Sequence, residues 1–214
     1  MAQRRSTRDR ILQESLRLFN EEGEPEQSAV DIANVLEMSP GNLYYQFKGK
    51  DAIIRALFDA FEEEMRVILR GSRGQITSIE DNWVYIYILL EEIYDFRFFY
   101  RGLSALLDRY PDLAVRFRAL IAEMRDAVQD ILEGLERAGA IKMDPRLRPV
   151  VVDQIISALT FWLTKEAVSS DASDSSILID KTVFETITLV VPYMGEASIE
   201  TLNMLIDRYE AAQK

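Results

Sequence analysis

Residues 28–50, SAVDIANVLEMSPGNLYYQFKGK, decide the fold. Ser28 is a good helix N-cap with Asp31 three positions on, and the helix it opens buries Ile32, Ala33 and Leu36. After a turn of about three residues, Ser39 as N-cap and Pro40 in the first turn open another helix that runs to Phe47. Two short helices so spaced make a helix-turn-helix. In the second, Leu43 and Phe47 lie four apart and anchor its back to a core, while Ser39, Pro40, Gly41 and Asn42 make a first turn too small to hold a partner away. Asn42, Tyr44, Tyr45 and Gln46 are left to point outward, and the helix start offers free N–H groups to a phosphate. Large aromatics normally bury, so two adjacent tyrosines here predict hydroxyl contacts to phosphate oxygens and ring contacts to sugar or a thymine methyl. A competing reading packs one of the two tyrosines inward, Tyr44 more readily than Tyr45, which lies further round from the Leu43–Phe47 face. Lys50, just past Gly49, is either a point charge for a flanking phosphate or an ordinary solvated lysine.

Around this stretch nearly every segment has apolar residues recurring at three and four, so the chain is predicted to be all-α, with about nine to ten helices. The first runs from about Thr7 to Glu22 and stops at Gly23; the fourth spans about Lys50 to Arg70. Gly71-Ser72-Arg73-Gly74 is the clearest break, and longer helices follow at about 79–95, 97–109, 112–138, 145–168, 176–191 and 198–212. The serine-rich stretch 169–176 reads as a loop. The expected division is a three-helix DNA-binding domain at 1–50 and a larger helical effector-binding and dimerisation domain at 51–214.

Composition excludes much chemistry. With no Cys and no His, disulfides, thiolate and imidazole catalysis and the usual zinc ligands are ruled out, so no enzyme activity, cofactor or metal is expected. No run of eighteen uncharged apolar residues is present and the N-terminus has no signal-like stretch, so a cytoplasmic protein without membrane contact is expected. The net charge of −11 looks unsuited to DNA, but its distribution matters more. Residues 1–50 hold seven Lys/Arg against eight Asp/Glu, and residues 51–214 hold 18 against 28. Arg4, Arg5, Arg8 and Arg10 cluster at the start, a basic arm on an acidic body or an incidental run on a solvated terminus.

Ile11-Leu12 through Leu18-Phe19 with Gly23, then Asp31-Ile32-Ala33, then Ser39 to Phe47, then Lys50, resembles the N-terminal signature of TetR-family repressors over about the first 60 residues. The resemblance implies that Ser28, Ser39, Asn42, Tyr44, Tyr45 and Lys50 touch double-stranded DNA and that Gly41 lets the helix approach. Three positions depart from the pattern: Glu37 where glycine or asparagine often forms the turn, Pro40 where a basic residue is frequent, and Gln46 in place of a frequent histidine. If position 37 needs positive φ, glutamate there costs about 1 kcal/mol.

The body is aromatic-rich: residues 83–100, WVYIYILLEEIYDFRFFY, hold eight aromatics in eighteen positions. Trp83, Tyr87 and Tyr94 fall near one stripe, Phe98 and Phe99 open the next helix, and Phe161-Trp162 lie along a later one. These seven residues are candidates to line a cavity for a small hydrophobic or planar effector, or they are dry core. A single short recognition helix reads few base pairs, so a palindromic operator requires a homodimer with reading heads about 34 Å apart. The resemblance places its interface on the helices near 145–168 and 176–191, where Val150, Val151, Ile155, Ile156, Leu159 and Leu163 and then Ile179, Val183, Ile187 and Val191 are apolar; intramolecular core is the other reading. The implied function is a repressor released by an effector. A protein of the same fold that answers to a protein partner, or acts as activator or architectural factor, stays open, as does an interaction module that does not bind DNA.

Overall fold

The computed structural model describes residues 6–72, 74–169 and 175–212, with side chains as far as Asp207. Arg4 and Arg5 of the basic arm and residues 170–174 of the serine-rich loop lie outside the described residues. Among those described, every regular element is helical, and the one β-type contact is an isolated bridge between Ile141 and Met194. The helices are α1 (Thr7–Leu18), α2 (Ala29–Val35), α3 (Pro40–Gln46), α4 (Lys50–Gly71), α5 (Ile79–Asp95), α6 (Arg97–Arg101), α7 (Leu103–Arg109), α8 (Pro111–Arg137), α9 (Arg148–Ser169), α10 (Ser175–Thr188) and α11 (Glu196–Ala212). They form two compact units: Met1–Glu63 with Phe96–Leu113, and Glu64–Asp95 with Ala114–Lys214.

The first unit gathers α1 to α3, the start of α4, and α6 with α7. Ile11 and Leu18 of α1, Ile32 of α2, Leu43 of α3 and Ile53, Leu57 and Phe58 of α4 supply its core at the three-and-four spacing that puts one helix face inward. An aromatic cluster completes it: Phe61 meets Phe96 at 5.4 Å, Phe99 at 5.9 Å and Tyr100 at 5.9 Å, and Phe58 meets Phe99 edge-on at 5.5 Å. Such pairs add about 0.5–1.5 kcal/mol each beyond the area they bury.

The second unit packs α5 against α10, with the apolar faces of α8 and α9 in the same core. Ile86, Leu89 and Ile93 of α5, Val128, Ile131 and Leu135 of α8, Ile155, Leu159 and Leu163 of α9, and Ile179, Val183 and Ile187 of α10 are all buried. Gly134 of α8 is required by close approach, because a Cβ there would lie 2.6 Å from the backbone oxygen of Ile76.

Several element limits differ from the sequence reading, among them the close of α10 at Thr188, short of the expected 191. The expected helix at 97–109 is two, because Gly102 (φ −115°, ψ 25°) leaves the helical region between α6 and α7. The first helix closes with a π-helical turn, Phe19–Gly23, ending on Gly23 at φ +91°. The helix expected from 145 starts at Arg148, because Asp144 to Leu147 make a turn in which the Leu147 N–H donates to the Asp144 carbonyl.

The Gly134 contact gives a direct test. Gly134→Ala forces a methyl against backbone that has no rotamer to yield, so a loss of about 1–3 kcal/mol is expected by chemical denaturation, despite alanine's better helix propensity.

Candidate nucleic-acid interface

The second and third helices are fixed at their ends by their own sequence. Ser28 Oγ accepts the Asp31 backbone N–H at 3.2 Å, and the Ser28 backbone N–H donates to the Asp31 carboxylate at 2.9 Å, a reciprocal capping box. The Ser28 hydroxyl, donating to that carboxylate at 2.5 Å, and then the Ser28 backbone N–H hold the Asp31 carboxyl below its ordinary value. α2 then closes as a Schellman motif: the Met38 N–H donates to the Ala33 carbonyl at 3.0 Å and the Glu37 N–H to that of Asn34 at 3.0 Å. That motif needs a left-handed residue after the cap. Glu37 occupies it at φ +53°, the only non-glycine residue at positive φ among the described residues. The conditional strain at position 37 is therefore real.

Ser39 caps α3, its Oγ accepting the Asn42 N–H at 3.2 Å, and Pro40 sits in the first turn where no N–H is needed. Leu43 and Phe47 are buried, and with them fixed the helix has one orientation to offer. Tyr44 is 56% exposed and Tyr45 79%, so the inward reading of Tyr44 does not hold. Ser28, Ser39, Pro40, Gly41 and Asn42 are exposed on the same short motif. A Cβ built on Gly41 meets nothing within 4 Å, so the protein's own packing does not demand glycine there.

Cations frame this surface. Arg8 lies over the Phe47 ring at 4.2 Å, and Lys48 lies 5.1 Å from the Tyr44 ring centre with its ammonium donating to the Tyr44 carbonyl at 3.3 Å. The sequence reading left out Lys48, although its place one turn after Tyr44 marked it. Lys50 is differently placed: its ammonium donates to the Glu24 carbonyl at 2.5 Å and pairs with the Glu24 carboxylate at 2.8 Å. Glu24 is 5% exposed and also takes Arg109 at 2.9 Å and 3.0 Å. Close by, Asp51 accepts the Tyr110 hydroxyl at 2.8 Å; burial first, and that carboxylate second, push the Tyr110 pKa up to about 12.

The seven aromatic candidates are not one site. Phe98 and Phe99 are buried in the first unit, their ring centres 4.0 Å apart. The other five are in the second unit. There Tyr94 and Trp162 stand 6.2 Å apart, Trp162 is buried, Trp83 and Tyr87 are half-buried on α5, and Phe161 is 55% exposed. Tyr94 lines an open cavity of about 500 Å³ with Glu64, Glu91, Glu92 and Asp95. Burial, then Asp95 and Glu64, raise the Glu92 pKa to about 7. A smaller enclosed space in that unit's core is lined by Asn82, Tyr85 and Thr186 among apolar side chains; Tyr85 escaped the sequence reading because its period matches ordinary core.

A family model described as "Bacterial regulatory proteins, tetR family" matches residues 11–57, and one described as "Bacterial transcriptional repressor" matches residues 60–202. No curated protein matches the chain. Among solved structures, a TetR-family transcriptional regulator from Marinobacter aquaeolei VT8 is 30% identical, with 96% of this chain and 99% of that one covered and a TM-score of 0.87. A regulatory protein in the tetR family from Rhodococcus RHA1 is 17% identical, covering 90% and 100%, with a TM-score of 0.66. A transcriptional regulator from Aquifex aeolicus VF5 is 20% identical, covering 86% and 99%, with a TM-score of 0.59.

Glu37 generates a stability test. Glu37→Gly removes the left-handed strain at the close of α2, and the midpoint of urea unfolding is expected to rise by an amount equivalent to up to about 1 kcal/mol, the flexibility of glycine in the unfolded chain taking back part of the gain.

Proposed function

Because the chain belongs to the TetR family of bacterial transcriptional regulators, we propose that it is a sequence-specific DNA-binding repressor, released from a palindromic operator by a small effector. Members of this family are transcription factors, not enzymes. The observation that carries the DNA reading is the Tyr44–Tyr45 pair, left in solvent on a helix whose other face is locked by Leu43 and Phe47. A chain gains nothing from two exposed aromatic rings by itself. Against DNA, their hydroxyls reach phosphate oxygens and their rings reach sugar and thymine methyl groups. On this reading Asn42 meets base edges, Ser39 donates to the DNA backbone, Ser28 does so once its hydroxyl leaves Asp31, and the open space over Gly41 gives room for close approach. Lys48 and Arg8 supply phosphate charge, and Lys50 contributes to the extent that it leaves Glu24. We assign DNA binding to residues 1–50 and effector binding and dimerisation to residues 51–214, in the cytoplasm; among the described residues no helix is long and apolar enough to cross a membrane.

The homodimer reading is supported by the outer face of α9 and α10. Val151, Ile155, Ile156, Leu159 and Leu163, and Ile179, Val183 and Ile187, belong to the subunit's own core, which corrects their expected place in the interface. Of the expected set Val150 is exposed, and with it Phe161 and Val168 of α9 and Ile177 of α10, an apolar set that a second copy would cover. For the effector, the cavity beside Tyr94 offers an aromatic face, and its four carboxylates favour a ligand that adds a hydrogen-bond donor or positive charge to the hydrophobic or planar character expected. Release follows if the effector binds better to the conformation that holds DNA poorly.

Selection of bound DNA from a random pool is expected to return a palindrome. On it, Tyr45→Ala should lose about 1–3 kcal/mol of binding with unfolding unchanged, and Gly41→Ala should keep or raise stability while weakening DNA binding; unchanged affinity in both would sink the assignment of α3 as reader. Separately, Phe161→Glu is expected to shift the sedimentation mass from dimer to monomer without loss of helical signal, because it sets a charge in the centre of the apolar face.

A further inference from the structure

Lys50 opens α4 just after the reading helix, and its ammonium already has partners there. It pairs with the buried Glu24 carboxylate at 2.8 Å and donates to the Glu24 carbonyl at 2.5 Å. DNA binding needs the same ammonium at a phosphate. A lysine that alone neutralised a buried carboxylate could not make that move, because the charge left behind would have no counter-ion, and stranding one partner of a buried pair is strongly destabilising.

Glu24 is arranged so that neither of its acceptors is stranded. Arg109, at the close of α7, donates through one guanidinium nitrogen to both carboxylate oxygens, at 2.9 Å and 3.0 Å, so the carboxylate keeps a cation when Lys50 leaves. The carbonyl keeps a donor as well, since it also accepts the Gln27 backbone N–H at 3.2 Å. Lys50 is therefore the removable member of both contacts. Its chemistry suits that role, a point charge on a flexible four-carbon stem, whereas the planar guanidinium of Arg109 is the better fixed partner for a carboxylate. All four residues belong to the first unit.

We infer that Arg109 is a positioning residue for DNA binding, which holds Glu24 so that Lys50 is released to a phosphate, and which does not touch DNA itself. The inference rests on the proposed DNA contact of Lys50. It also makes α7 a control point: a shift that draws Arg109 off Glu24 returns Lys50 to the carboxylate and lowers DNA affinity.

The salt dependence of DNA binding by the full chain reads this, since each lysine that meets a phosphate adds about 0.9 to the slope of log affinity against log salt. On the duplex recovered by selection, Lys50→Met is expected to lower the slope by about 0.9 per subunit. Arg109→Gln should lower it by a similar amount although Lys50 is still present, and adding Lys50→Met to that variant should lower it no further. Arg109→Lys should keep the parental slope, because a cation remains on Glu24. Adding Glu24→Gln to Arg109→Gln should restore it, because the carboxylate that recaptures Lys50 is gone; a second removal would not repair mere loss of structure. The Arg109 side chain is 44% exposed, so its truncation costs little packing, and the helical signal checks folding. Where Arg109→Gln does not fold alone, Glu24→Gln with and without Arg109→Gln decides: both are expected at the parental slope, and a fall on removing Arg109 there would mean that Arg109 meets phosphate itself, against the inference. A parental slope in folded Arg109→Gln, or no restoration by Glu24→Gln, overturns the positioning role while the Lys50 contact stands. An unchanged slope in Lys50→Met removes that contact and the inference with it.

Discussion

The first unit depends on one buried carboxylate. Glu24 sits past the π-turn that ends α1, and its two cationic partners come from elsewhere: Lys50 opens α4 and Arg109 closes α7. A charge taken out of water must be met by charge and hydrogen bonds or it unfolds what surrounds it; removing one partner of such a pair costs about 3–5 kcal/mol. The carboxylate thus pins the end of α1 to two other elements. α2 and α3 meet that frame through the buried side chains of Ile32, Leu43 and Phe47, the last also lying under the Arg8 guanidinium of α1. The Lys50 ammonium that holds this frame is also the one proposed to meet DNA.

Within that frame, the helix-turn-helix was the most legible part of the chain, because its determinants are local. Ser28 with Asp31, Ser39 with Asn42, and Pro40 at the helix start each act within three residues, so residue types at fixed offsets suffice to place them. The turn was legible as a condition: Glu37 had to be strained if the turn was left-handed, and the Schellman closure makes it so. Glu24 was invisible for the opposite reason. Its partners lie 26 and 85 residues away, and nothing local in the polar stretch Glu24-Pro25-Glu26 marks one glutamate as buried.

The aromatic stretch 83–100 shows where periodicity stops informing. Spacing reports that a side chain is buried without saying against what. Trp83, Tyr87 and Phe99 follow the same pattern, yet the chain hands its allegiance from one compact unit to the other between Asp95 and Phe96. At that junction Phe96 leaves the helical region, with φ −110° and ψ 33°. No glycine or proline stands there to announce it. Phe98 and Phe99 accordingly fill the core of the head, and only Tyr94 of the candidates reaches the large cavity.

The same ambiguity governs α9, and there it resolves into an argument about assembly. A helix whose apolar residues lie on one face needs one partner surface; α9 has Ile155, Leu159 and Leu163 buried in its own subunit and Val150, Phe161 and Val168 still in solvent on the other side. The sequence offered Val150 beside Ile155, Leu159 and Leu163 as interface candidates without ranking them and set Phe161 among the cavity aromatics, because helical spacing does not separate these roles. Intramolecular packing takes the branched aliphatics, which interlock with α5 and α10, and leaves a sparser outer set around one large aromatic. That division fits the proposed dimer as an interface added to a finished fold: the inner face makes the subunit stable, and the outer face keeps apolar area in water that the proposed second copy would bury.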